Sequence, residues 1–226
     1  MTGVVRLDLH VHSRHSPDSS LGLETIVDRL GIAGLRGFAL TDHNSVAGHP
    51  AMSDLAHRNP MYLMVPGVEV STREGHLLVY GVSEVPPVHR PLAETLDWVH
   101  ARGVVAVLAH PLRLAHGVGR RVAETAPADG IETVNGHNGE LANARAGVIA
   151  TGRRLATTGG SDAHDAKGLG RAFTELPDEV DSVDAFLAAL RRARCDARGE
   201  SLHGLARVSL GVRTGLLRVA RGLRPI

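Results

Sequence analysis

Asp8-Leu9-His10-Val11-His12 near the N-terminus and Ser161-Asp162-Ala163-His164 far downstream each set two metal-competent side chains two residues apart on an apparent strand. Successive side chains of a strand alternate faces, so His10 and His12 share a face, as do Asp162 and His164. The expectation is a metal gripped from both ends of the chain. Working outward, four more segments end an apolar run in a similar residue: Leu40-Thr41-Asp42-His43, Pro66-Gly67-Val68-Glu69, Gly75-His76 and Leu108-Ala109-His110-Pro111. One His-X-His pair is more often an accident of surface or core than a ligand pair. Six such endings imply a common rim, because imidazole and carboxylate are the ligands that Zn²⁺, Mn²⁺ and Fe²⁺ accept.

The segments between these endings alternate in period. Strands are expected over 4–12, 37–43, 61–70, 76–82, 104–110, 131–134, 154–158 and 171–176, with helices around 23–30, 50–57, 92–99, 141–149 and 183–190. Pro91 suits the first turn of the third helix, where its missing N–H costs nothing. About seven such units favour a parallel sheet with crossover helices. In a closed barrel the carboxyl ends of the strands converge on one face, where the His, Asp and Glu residues fall. An open doubly wound sheet would gather ligands only at a switch point.

Composition narrows the function classes. With 226 residues, 43% hydrophobic and 22% charged, the chain is long enough for a substantial core, and its formal charge of +1 gives no whole-protein argument for nucleic acid. The single Cys195 makes no internal disulfide, and no stretch resembles a signal peptide or a transmembrane span, so a reducing cytoplasm is the expected location. Fourteen His stand against three Phe, two Tyr and one Trp, an imidazole-rich balance. Without a Cys cluster for structural zinc, any metal is expected to be catalytic.

Asp8-Leu9-His10-Val11-His12-Ser13, Thr41-Asp42-His43-Asn44, Pro66-Gly67-Val68-Glu69, Ala109-His110-Pro111 and Gly160-Ser161-Asp162-Ala163-His164 resemble, in order, the successive motifs of the polymerase and histidinol phosphatase (PHP) family. The resemblance runs from Val4 to Leu190. It implies an α/β fold, a distorted (β/α)7 barrel, with two or three divalent transition-metal ions (Mn, Fe or Zn) and phosphoester hydrolysis by metal-activated water. Carried over motif by motif, it implies that His10, His12, Glu69 and Asp162 hold a first metal. Glu69 then bridges to a second held by His76 and His110, and Asp18, His43 and His164 form a third set. Asp18 departs from relatives that carry His there; His15 is its neighbour and competitor, and a turn carboxylate after Pro17 is the plainer reading. Glu69, Asp162 and His164 are the expected catalytic residues. Arg113 is a candidate for bidentate phosphate contact, and His137 for substrate contact or leaving-group protonation.

With little room for an inserted capping domain, an open pocket is expected, suited to a small phosphate monoester or a nucleotide. An exonuclease acting on oligonucleotide ends is an alternative that the neutral charge does not favour. A noncatalytic metal-bound scaffold is another. A carbon–nitrogen hydrolase would share barrel and ligands, but Lys167 is the only Lys and lies beyond the last motif. Residues 1–200 are therefore expected to form the barrel and 201–226 a basic amphipathic tail, with Leu205, Val208, Val212, Leu216, Val219 and Leu223 along one stripe. Packing on the barrel is the preferred role for that tail. Membrane-surface binding, nucleic-acid contact and self-association are its alternatives.

Overall fold

The computed structural model describes residues 3–201, 212 and 214–220. Strand and helix alternate through β1 (Val4–Val11), α1 (Leu23–Ile32), β2 (Gly37–Leu40), α2 (His49–Arg58), β3 (Leu63–Ser71), β4 (His76–Tyr80), α3 (Leu92–Ala101) and β5 (Val105–Leu108). They continue through α4 (Arg120–Thr125), β6 (Gly130–Asn135), α5 (Glu140–Arg153), β7 (Ala156–Gly160), β8 (Ala172–Pro177), α6 (Val183–Arg191) and β9 (Asp196–Gly199). The apolar periods explain most of these elements. In α1 the buried residues Leu23, Ile26, Val27 and Leu30 recur at helical spacing, and α2 opens with Pro50 in its first turn, where no N–H is needed.

The nine strands of the described residues form one sheet in the order β7-β6-β5-β4-β3-β2-β1-β8-β9. Within it β1, β2 and β3 run parallel, as do β5, β6 and β7. The expected all-parallel sheet needs correction at β4, which is antiparallel to both β3 and β5, and at β8, which is antiparallel to β1 and β9. The reason at β4 is connection length. Residues 72–75 form a turn between paired Ser71 and His76, and a parallel neighbour would need a crossover of about a dozen residues or more. This reversal also corrects the reading of Gly75-His76. His76 begins its strand, and the reversed direction brings that beginning to the rim where the other strands end.

The sheet curls until β7 meets β1, giving a nearly closed, distorted α/β barrel. Beyond β7, the Asp162 N–H donates to His10 O at 2.7 Å and the His12 N–H to Ala163 O at 3.1 Å, with a parallel bridge between Val11 and Ala163. Close approach depends on Gly160, where an added Cβ would fall on the His10 side chain and 2.7 Å from its backbone nitrogen. Gly160→Ala is therefore expected to cost about 1–3 kcal/mol through overpacking. A lowered denaturation midpoint would show it, and a midpoint equal to the parent's would mean that the seam tolerates a methyl group.

Leu7, Leu9, Val65, Leu78, Tyr80 and Val107 pack together with Phe186 and Leu190 of α6, while separate clusters seat α1 and α2, and α3 to α5, on the sheet. Tyr80 is fully buried, and its hydroxyl donates to Leu9 O at 2.9 Å, as a buried phenol requires. In the tail, residues 212 and 214–220 are helical; Leu205, Val208 and Leu223 lie outside the described residues. Val212, Leu216 and Val219 of the expected stripe are exposed. No described helix is long and apolar enough to cross a membrane.

Candidate metal centre

β1 delivers His10 from its last turn of pleat and His12 just beyond its end, and both rings are fully buried. Their Nε2 atoms stand 3.1 Å apart, aimed at one point. Glu69 of β3 places Oε2 at 3.2 Å from each, and Asp162 Oδ1 lies 3.6 Å from His10 Nε2 and 3.4 Å from His12 Nε2. Ligands held tetrahedrally at about 2.1 Å from a divalent ion stand about 3.4 Å apart, so these spacings suit one cation among the four.

Glu69 turns its other oxygen to a second pair. Oε1 lies 2.8 Å from His76 Nδ1 and 2.9 Å from His110 Nε2. One buried carboxylate thus stands between two imidazole pairs. The third expected set also gathers: Asp18 Oδ2 lies 3.3 Å from His43 Nε2 and 3.1 Å from His164 Nε2, and His43 Nδ1 lies 3.1 Å from Glu69 Oε2. Asp18 is buried in this cluster whereas His15 is exposed.

Asp162 and His164 do share the centre, but not as neighbours on a strand. β7 has ended at Gly160, and Asp162 adopts φ 57°, a left-handed conformation that Asp tolerates better than most residues. His110 is also at positive φ, 30°. Such backbone tension concentrates where surrounding contacts over-determine a functional geometry. The Asp8 carboxylate, at the head of the first motif, accepts from the backbone N–H groups of Ser161 and Gly170, and Asp42 accepts from the N–H and hydroxyl of Ser13. Both brace the loops that carry the centre.

Arg113 and His137 reach the same place. The Arg113 guanidinium donates from Nη2 to Asp162 Oδ2 at 2.7 Å and to Asn135 Oδ1 at 2.6 Å, and from Nε to Asn138 Oδ1 at 2.9 Å. His137 Nδ1 lies 3.6 Å from Asp162 Oδ2, and its ring stacks on His164. Glu132 was not foreseen. Its Oε1 lies 2.9 Å from His10 Nδ1, and its Oε2 accepts from the His110 N–H at 2.7 Å and from Asn135 Nδ2 at 3.0 Å. A metal-binding imidazole commonly has such a carboxylate behind it, fixing tautomer and ring orientation.

The electrostatics call for positive charge. Burial works against ionising Glu69 and Asp162, yet His43, His76 and His10 hold the Glu69 carboxyl well below its usual range, and His10 and Arg113 do so for Asp162. Burial opposes a charge on His12 too, but Asp162 and Glu69 outweigh it and push its pKa up to about 10. Burial instead pushes His43 down to about 4 and His137 down to about 3. Among the described residues, Asp18 Oδ1, His76 Nε2, His110 Nδ1 and His137 Nε2 are buried here without a hydrogen-bond partner. Orphaned donors and acceptors are costly to bury, and imidazole with carboxylate is a donor set that transition-metal cations satisfy.

A pH dependence follows. Unfolded His12 titrates near 6.5 and folded His12 near 10, so its proton stabilises the metal-free fold fully below about 6.5 and that stabilisation fades as pH rises toward 10. A cation displaces the proton, so metal binding should release protons and tighten with rising pH. The melting temperature of chelated protein is expected to fall between about pH 6.5 and 9 while that of loaded protein holds. Equal pH dependence of the two forms would contradict this assignment.

Barrel and cluster together define an α/β barrel whose rim gathers buried His, Asp and Glu groups that could hold metal ions. The chain belongs to the PHP family: the PHP domain matches residues 8–102 and the PHP-associated family matches residues 140–195. Among characterised relatives, it is 32% identical to the 5'-3' exoribonuclease Rnm of Salmonella typhimurium over 58% of this chain and 45% of that protein. It is 35% identical to the phosphoribosyl 1,2-cyclic phosphate 1,2-diphosphodiesterase of Eggerthella lenta over 43% of this chain and 39% of that one. The matched regions thus span less than half the length of either relative. A two-domain protein of Bacteroides vulgatus containing a predicted PHP-like metal-dependent phosphoesterase superposes with a TM-score of 0.74 at 20% identity, covering 88% of this chain and 66% of that one.

Proposed function

We infer that this chain hydrolyses phosphoesters with the help of two or three divalent transition-metal ions. The observation that carries the reading is Glu69, whose two oxygens face separate imidazole pairs, His10 with His12 and His76 with His110. In this reading His10, His12, Glu69 and Asp162 hold one cation, Glu69, His76 and His110 a second, and Asp18, His43 and His164 a third. Bound cations would supply an acidified water and neutralise charge on the phosphoryl oxygens. The protein's own groups then do the positioning. Arg113 holds Asp162 by one edge, and the neutral ring of His137 offers a hydrogen bond rather than a proton, since burial keeps it uncharged at neutral pH. Relatives that act on RNA and on a cyclic phosphate support the reaction class.

Elemental analysis paired with a phosphate-release screen over sugar phosphates, nucleotides and short oligonucleotides tests the reading. Loaded protein should release phosphate in a chelator-sensitive way, and single turnover in ¹⁸O-water should place solvent oxygen in the product without a phosphoprotein. Protein that binds metal yet hydrolyses none of these esters would instead be a noncatalytic module. Arg113→Ala is expected to weaken substrate handling and, through Asp162, metal retention as well.

A further inference from the structure

The described part of the tail sits the opposite way round from the expected stripe. Val212, Leu216 and Val219, which share one side of the helix, are exposed. Thr214, Leu217 and Arg218 are the less exposed residues, and their spacing puts them together on the other side, toward the barrel. A helix seated by its apolar stripe would have turned Arg218 to solvent. Here the arginine is turned inward, and its Nε is buried with no hydrogen-bond partner. Among the described residues no carboxylate pairs with it either. A buried N–H without an acceptor is costly, and a guanidinium without a counter-ion draws an anion.

His116 ties this guanidinium to the metal centre. Its ring stacks on His76 with centroids 4.7 Å apart and planes 20° from parallel, and its carbonyl oxygen accepts from the His76 N–H at 2.8 Å. Burial and then His76 lower the pKa of His116, and the positive charges of Arg113 and Arg218 lower it further, so both side chains reach its surroundings. They differ in what they already hold. Arg113 is bonded to Asp162, Asn135 and Asn138, whereas Arg218 is uncommitted among the described residues. A guanidinium is a rigid fork of donors that matches the oxygens of a phosphate. An arginine that merely lays its stem on the barrel keeps its charged head wet, and the dry Nε of Arg218 departs from that pattern. Arg218 also lies beyond residue 195, the last that the family accounts for.

We propose that Arg218 is a substrate-binding residue supplied by the tail, its guanidinium contacting the phosphoryl oxygens of an ester on the His76 side of the centre and, after hydrolysis, the phosphate product. The inference rests on the phosphoesterase reading of that centre. Three variants of the full-length, metal-loaded protein separate charge, fork and stem. Arg218→Met keeps most of the stem without the charge, Arg218→Lys keeps the charge without the fork, and Leu216→Gln changes only the exposed side of the helix. The probes are inorganic phosphate, followed by calorimetry, and p-nitrophenyl phosphate as substrate. Arg218→Met should weaken phosphate binding and raise KM at least about tenfold, the scale of a lost charge-assisted hydrogen bond, with kcat, metal content and melting temperature kept. Arg218→Lys should recover part of that loss, and Leu216→Gln should match the parent. Phosphate affinity and KM unchanged in Arg218→Met would overturn the inference while leaving the phosphoesterase reading intact. Loss of metal or of melting temperature in step with affinity, alike in the Met and Lys variants, would make Arg218 structural and overturn it too. Phosphate binding that depends on Arg218, with no ester hydrolysed, would support the anion contact and sink that reading.

Discussion

Glu69→Gln is expected to empty two metal positions at once. Each carboxylate oxygen faces its own imidazole pair at 2.8–3.2 Å, and an amide keeps one oxygen while turning an NH₂ group toward the other pair. The substitution also removes the negative charge that the buried centre supplies to its cations. Losing an outer-shell partner typically costs roughly 10–100-fold in affinity or activity, and loss of a bridging ligand should exceed that. Metal content after dialysis should drop by about two equivalents, and phosphoester hydrolysis should fall by more than 100-fold. A variant that retains two equivalents through dialysis would show that Glu69 does not link them.

Glu132→Gln is the second large expectation, although this residue sits behind the proposed ligands. Oε1 faces His10 Nδ1, and Oε2 accepts from both the His110 N–H and Asn135 Nδ2. Both oxygens are acceptors, so either orientation of an amide sets a donor against a donor. His10 and His110 would lose their alignment together. Metal affinity measured by chelator competition should fall roughly 10–100-fold, and the isosteric side chain should leave the barrel folded. Unchanged affinity would mean that His10 is oriented by its strand alone.

How far the sequence spoke for itself varied with the physics of each element. Strands buried on both faces announce themselves as apolar runs, and the polar residue closing each run marked the rim; His10, His12, His43, Glu69, His110 and Asp162 all lie there. The direction of β4 was not legible, because an apolar run reads the same in both senses and the turn over 72–75 was not weighed against the length of a crossover. Glu132 was missed because it interrupts Ile131 and Val134 from within its strand rather than closing it. A charge inside a strand with both faces covered was the available signal. β9 escaped notice because Asp196-Ala197-Arg198-Gly199 is a largely exposed edge without apolar alternation, and α4 is too short to display a period.

The seam between β7 and β1 also sets an order of events on the ribosome. Asp8 and Ser161, joined across it, are 153 positions apart, which at roughly 5–20 residues per second separates their synthesis by roughly 8–30 seconds. Throughout that interval the nascent chain displays His10 and His12 without Asp162. A bare imidazole pair follows the intrinsic affinity order, which favours copper over zinc, iron and manganese. Selection by the complete cage of imidazoles and carboxylates begins only when the last motif has left the tunnel, so the metal supply surrounding newly made protein becomes part of what determines its final occupancy.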